Sequence, residues 1–236
     1  MKYILTKPEE RGTKEQDWLI SKFSFAFSNY QDPTKQGFGQ LKAFNDDILK
    51  VGKGFGTHPH DNMEIISIML KGKMNHQDSM GYKNEVGPYD VQIMSAGYGL
   101  HHSEYNIGNE DVNFLQIWIN TKIKNTQPAY RAMSFPLSER KNKLVKIIGP
   151  EKTSTFLPIN QDAQLFLGQA EAGTNLQYHY QEKNRCSFLF MIEGEAEVNQ
   201  LHIGKRYSVG FWETDSINII AKQACEFVLI EVPINQ

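Results

Sequence analysis

Cysteine is nearly missing from this chain: its 236 residues include two, Cys186 and Cys225. They form no CxxC pair and lie in separate apolar stretches, and structural zinc, which favours cysteine, is the weaker reading of any metal site. Each reads as a buried free thiol, a state that fits a reducing compartment. Long apolar runs are missing too, and no stretch approaches the roughly 20 apolar residues of a membrane helix. The first ten residues, Met1 to Glu10, hold too short an apolar run for a signal peptide. A soluble, cytoplasmic protein is therefore expected, with no membrane contact. Nor is there a surplus of positive charge: 25 basic residues stand against 27 acidic, for a net charge of -2. Without a broad basic field to displace counterions, direct nucleic-acid binding is not expected.

What is present is a globular composition, 40% hydrophobic and 22% charged. That implies a packed core and leaves room for one large β domain or two of ordinary size. Period-2 patterns predominate. Leu19, Phe23, Phe25 and Phe27 share one face of Trp18 to Phe27. Met63 to Leu70 is almost continuously apolar. Met74, His76 and Asp78 alternate, Val91 to Met94 is a short apolar run, and Asn113 to Asn120 is rich in β-branched and aromatic residues. Turn chemistry separates them, as at Lys71-Gly72-Lys73 and Val86 to Asp90. The Asn-Asp-Asp centre of Leu41 to Leu49 predicts a bend, and Gly52 to Thr57 a glycine-rich loop. Short strands between such turns predict an all-β barrel or sandwich.

Thr121 to Lys143 changes character, with two prolines and few apolar runs, and is expected to connect two halves. The strand pattern then returns from Val145 to Val232. Ser187 to Gly194 echoes Ile65 to Gly72 in layout, which points to an internal repeat at domain scale. The expected division is a first barrel over 1–125, a connector over 126–144 and a second barrel over 145–236.

Four side chains carry the chemistry. His58 and His60 are two apart, as are His102 and Glu104, and residues two apart on a strand point the same way. Two neighbouring strands would then place three imidazoles and one carboxylate around a single point. Such donors suit one mononuclear ion: zinc, copper, iron or nickel by their imidazoles, with the carboxylate keeping iron and manganese in play. His76 and Glu64 are expected beside this site, in contact with its ligands or its pocket. In the second half the matching positions are Tyr178 and Tyr180, which predict no metal there. His101, neighbouring His102, is expected to face the other way.

These residues resemble a known family. Gly52-x5-His58-x-His60-x3-Glu64-x7-Gly72 resembles the first cupin motif, with one extra residue before the last glycine, and Gly99-x2-His102-x3-Asn106 resembles the end of the second. More narrowly, Gly54-Phe-Gly-x-His-Pro-His60, Met63-Glu-Ile65, His76-x-Asp-Ser79, Pro88-x-Asp-Val91 and Ala96-Gly-x-Gly-x-x-His-Ser-Glu104 are similar to segments of the pirins. The resemblance implies two tandem antiparallel cupin β-barrels, a bicupin. It also implies a metal, usually iron, held in the first barrel by His58, His60, His102 and Glu104. Two roles follow from it: a dioxygenase opening quercetin-type flavonols, with Glu104 as metal ligand and proton acceptor, or metal-dependent regulation through a protein partner. Tyr98, where pirins usually carry arginine, and His101, where an aliphatic residue is usual, depart from the pattern.

Overall fold

The computed structural model describes residues 1–234, so the last two residues of the expected second barrel lie outside the description. Its first half contains β1 (Lys2–Thr6), β2 (Gly12–Gln16), β3 (Leu19–Phe23), β4 (Leu41–Leu49), β5 (Gly54–His60) and β6 (Met63–Lys71). It continues through β7 (Met74–Asp78), β8 (Lys83–Val86), β9 (Asp90–Ser95), β10 (Leu100–Asn106), β11 (Val112–Asn120) and β12 (Ala129–Ser134). After a four-residue helix, α1 (Leu137–Arg140), come β13 (Lys143–Gly149), β14 (Leu157–Pro158), β15 (Gln164–Ala170), β16 (Asn175–His179) and β17 (Arg185–Glu193). The last five are β18 (Ala196–Val198), β19 (Leu201–Ile203), β20 (Ser208–Trp212), β21 (Ser216–Ala221) and β22 (Cys225–Pro233). Among the described residues no helix is long and apolar enough to cross a membrane.

The strands form two pairs of sheets. One seven-stranded sheet has the order β12-β9-β6-β11-β4-β3-β2, and the other β1-β20-β17-β22-β15-β13-β14. Each is closed into a barrel by a four-stranded sheet, β5-β10-β7-β8 in the first half and β16-β21-β18-β19 in the second. Among the described residues the strands pair antiparallel except β13 with β14, and an isolated parallel bridge joins Lys141 to Gln169. The two-barrel fold that the family resemblance implies is present, and the repeat is visible position by position. β6 and β17 are both nine residues long and third in their sheets, and each runs into a glycine at φ +77°, Gly72 and Gly194.

Two local expectations are corrected, and the segment between the halves is placed. Leu41 to Leu49 does not bend: it is one strand held between β3 and β11. The ladder on both sides overrides the turn preference of Asn45, Asp46 and Asp47. Of the expected loop Gly52 to Thr57, the part from Gly54 onward is strand, the start of β5, paired with β10. The stretch 126–144, expected as connector, carries β12, which lies against β9 at the edge of the first-half sheet, while β1 edges the second-half sheet beside β20. β12 thus continues the run of its own sheet, whereas β1 reaches the second-half sheet from the other end of the chain.

Alternation along the strands explains where the core sits. On β6, Ile66 and Ile68 join Phe44, Leu115 and Ile117 against Phe188, Phe190, Val228 and Ile230 of the second half. Phe44 lies 5.0 Å from the Phe188 ring and 4.8 Å from that of Phe190. This layer packs the two large sheets face to face, so both faces of each are buried. That is why strands such as β6 and β17 read as continuous apolar runs rather than alternating ones. The opposite rows fill the barrels. The second barrel holds a single apolar cluster built on Phe166, Leu189, Met191, Phe211 and Phe227. In the first, apolar residues form two separate groups, one around Met69, Met74 and Phe114 and one around Ile65, Met94 and Leu100. The first barrel also buries polar side chains, including Asn45, Asp47, His76, Gln92, His102 and Glu104.

Candidate metal centre

β5 and β10 are paired so that His102 stands opposite His58 and Leu100 opposite His60. The register shifts between His102 and Glu104, because β5 holds one residue more than β10 there. This bulge at Gly56 and Thr57 lets His58, His60 and Phe55 all face the cavity, which a regular period of two would forbid. Gly54 makes the close pairing possible, since a Cβ there would collide with the Glu104 carbonyl and the Tyr105 backbone.

The ligand atoms of His58, His60 and His102 lie within 4.8 Å of one another, and so do those of His76, His102 and Glu104. His102 belongs to both sets. The His58 and His102 rings are 4.5 Å apart, His58 and His60 4.8 Å, and His60 and His102 5.0 Å. Burial, reinforced by the neighbouring imidazoles, pulls His60 down to about 4 and His102 to about 2. Both rings are therefore neutral at pH 7 and carry free lone pairs. His58 Nδ1 sits 2.7 Å from the Gly56 carbonyl, which can only accept, so the proton is on Nδ1 and Nε2 is left bare.

A cation fits this set. His102 is 2% exposed, yet neither of its ring nitrogens has a hydrogen-bond partner. Bare polar nitrogens in a dry site are costly unless something meets them. Glu104, also buried, is raised to about 7 by its burial, against the pull of Gln92, whose amide donates to its Oε1. Gln92 Nε2 also donates to Ser67 Oγ at 3.1 Å, and its carbonyl accepts from the Tyr130 hydroxyl at 2.8 Å.

His76 lies beside His102, with ring centres 5.4 Å apart. Its Nε2 is 3.0 Å from Asp78 Oδ2, and its ring stacks on Tyr130 at 4.1 Å. Burial lowers its pKa, against the pull of Asp78. Glu64 is not brought there: its Oε2 accepts from Ser95 Oγ at 2.7 Å and from the Asn160 backbone at 3.2 Å, beside a loop of the second half. Position 64 falls on the row of β6 opposite to Ile65, Ser67 and Met69, so its side chain leaves the barrel interior. His101 and Tyr98 are exposed. In the second barrel, Tyr178 donates to Glu231 Oε2, and Arg185 pairs with Glu231 Oε1. Opposite Tyr178 stands Ile217, where the first barrel has His58 opposite His102.

The histidine cluster opens onto a cavity of about 280 Å³. Its walls are aromatic, formed by Trp18, Phe23, Phe27, Phe55 and Trp118, with Trp118 edge-on to His60 at 5.0 Å. Sequence reasoning missed Asn45, Asp47 and Gln116, which also line it. The signal was available on β4: once Leu41 to Leu49 is taken as a strand, Asn45 and Asp47 interrupt the row of Ala43 and Leu49.

Two antiparallel barrels in tandem, one of them gathering histidines in its interior, define a bicupin. Residues 6–119 match the pirin family model, and residues 146–232 match that of the quercetinase C-terminal cupin domain. Quercetin 2,3-dioxygenase of Escherichia coli (strain K12) is 34% identical over 230 residues, covering 97% of this chain and 98% of that protein. A pirin-like protein of Caulobacter vibrioides is 35% identical over 227 residues, 95% of this chain and 97% of its own. The crystal structure of the bacterial pirin YhhW in complex with nickel(II), from Escherichia coli, matches with a TM-score of 0.93 at 32% identity, over 98% of this chain and 99% of that one. The chain belongs to the pirin family.

Proposed function

We propose that this protein is a metal-dependent dioxygenase of quercetin-type flavonols, with iron as its working metal. The observation that supports the reading is the gathering of His58, His60 and His102, with Glu104 close to His102, beside an aromatic-walled cavity. The relatives named as quercetin 2,3-dioxygenases support the substrate class, and the nickel(II) complex of the related pirin supports a site for one transition metal.

The four side chains would hold the ion. Bound there, it supplies Lewis acidity that eases deprotonation of a coordinated hydroxyl, together with a redox couple. Trp18, Phe55 and Trp118 would clasp a flat ring system and exclude water. The Glu104 carboxyl, brought to about 7 by burial, takes up the proton of the substrate hydroxyl, and Gln92 fixes the orientation of that carboxylate. His76, held on Asp78 and Tyr130, supports His102 from behind.

The test is aerobic incubation of Fe(II)-loaded protein with quercetin, followed by loss of the flavonol absorbance band. Turnover is expected for the wild type. In His58→Ala, metal content and turnover are expected to fall together while the circular dichroism stays unchanged. Iron-loaded protein that bleaches no flavonol overturns the reading.

A further inference from the structure

The cavity beside the histidines has one wall whose hydrogen bonds are unmet. Asn45 and Asp47 lie two apart on β4, on the row that fills the barrel, and are only 2% and 3% exposed. Both line the cavity, and neither Asn45 Oδ1 nor Asp47 Oδ1 has a partner. Polar groups so deeply buried are nearly always paired, so two bare acceptors on one wall point to donors that arrive with a ligand. The neighbouring Gln116 is already engaged: it donates to Ser67 Oγ at 3.2 Å and accepts from Trp118 Nε1 at 3.2 Å. Ser21, opposite Asp47 on β3, hydrogen-bonds to its carboxyl and leaves Oδ1 bare; burial is the larger effect and raises that carboxyl to about 7.

The remaining walls define the shape of the ligand. Trp18, Phe23, Phe27, Phe55 and Trp118 give flat apolar faces that suit an aromatic ring and offer its hydroxyls no partner. Lys14, Ser21 and Ser28 add polar groups elsewhere on the lining, and the β4 wall adds acceptors that are still bare. We infer that Asn45 and Asp47 are a specificity-determining pair that accepts hydrogen bonds from ring hydroxyls of a polyhydroxylated aromatic substrate. This rests on the flavonol reading above and adds to it the means of selection: a flavonol with hydroxyls on its outer rings is preferred to one without.

The experiment compares quercetin with 3-hydroxyflavone, which lacks the outer-ring hydroxyls. Each is titrated under nitrogen, to prevent turnover, into the full metal-loaded chain, with quenching of Trp18 and Trp118 as the signal. The wild type is expected to prefer quercetin by about tenfold or more, the scale of a hydrogen bond to a charged group. Asp47→Asn and Asn45→Ala are each expected to reduce that preference several-fold, leaving bound metal and 3-hydroxyflavone affinity unchanged. Variants that keep the full preference overturn the inference, as does an equal loss of affinity for both ligands. A wild type that binds neither flavonol overturns the underlying reading instead.

Discussion

Gln92 is the residue on which most of the buried network depends. It donates to Glu104 and Ser67 and accepts from Tyr130. Gln92→Leu has similar bulk but strands those partners, and an unmet buried group costs roughly 1–3 kcal/mol. The expected result is a loss of that order in urea unfolding, with weaker metal retention on dialysis. Asp47 gives a prediction in pH. Burial raises its folded-state pKa to about 7 from an ordinary value of about 3.9. A raised carboxyl stabilises the fold below its unfolded pKa, and that contribution is lost as pH rises through about 7. Asp47→Asn removes this titration, so metal-free variant should gain on metal-free wild type between about pH 4 and 7, by on the order of 1 kcal/mol per pH unit, and then level off. Unfolding midpoints at three pH values measure it. A gap that stays constant would mean Asp47 does not titrate in this range.

At the scale of elements, the centre depends on how closely β5 lies against β10. Gly54→Ala places a methyl group against the Glu104 carbonyl and the Tyr105 backbone. β5 must shift, which separates His58 from His102 while the large sheets stay intact. Metal affinity is expected to fall tenfold or more by competition with a chelator, with far-ultraviolet circular dichroism unchanged; full affinity would show that the pairing has slack. Much of this element was legible beforehand. The histidine and glutamate spacings placed four side chains on two strands, and those strands are neighbours. The bulge at Gly56 and Thr57 was not legible, since the extra residue is defined only against the register of β10. Nor was the path of β4, where Asn45-Asp46-Asp47 favours a turn in isolation and is held straight by β3 and β11.

The whole molecule is held together by the apolar layer between its barrels. Phe44 is fully buried there against Phe188 and Phe190, and Arg206 ties the halves at its rim through Asp46 at 3.0 Å. Phe44→Ala should cost about 3–5 kcal/mol, read from chemical unfolding. Bound metal should act in the other direction, adding about 2.7 kcal/mol when its free concentration is a hundredfold above Kd. A chelator should therefore lower the Tm of wild type and leave that of His58→Ala unmoved. The sequence by itself determined that the chain is built of strands and that its two halves repeat, and it marked His58, His60, His102 and Glu104 as candidate ligands. Period-2 alternation, glycine turns and ligand spacing are properties of neighbouring residues, so they can be read locally. Only the tertiary structure decided that Glu64 turns away, that β1 and β12 edge the sheets they do, and that Asn45 and Asp47 face the cavity. Those outcomes depend on which strand lies beside which, and contacts between residues far apart in the chain fix that.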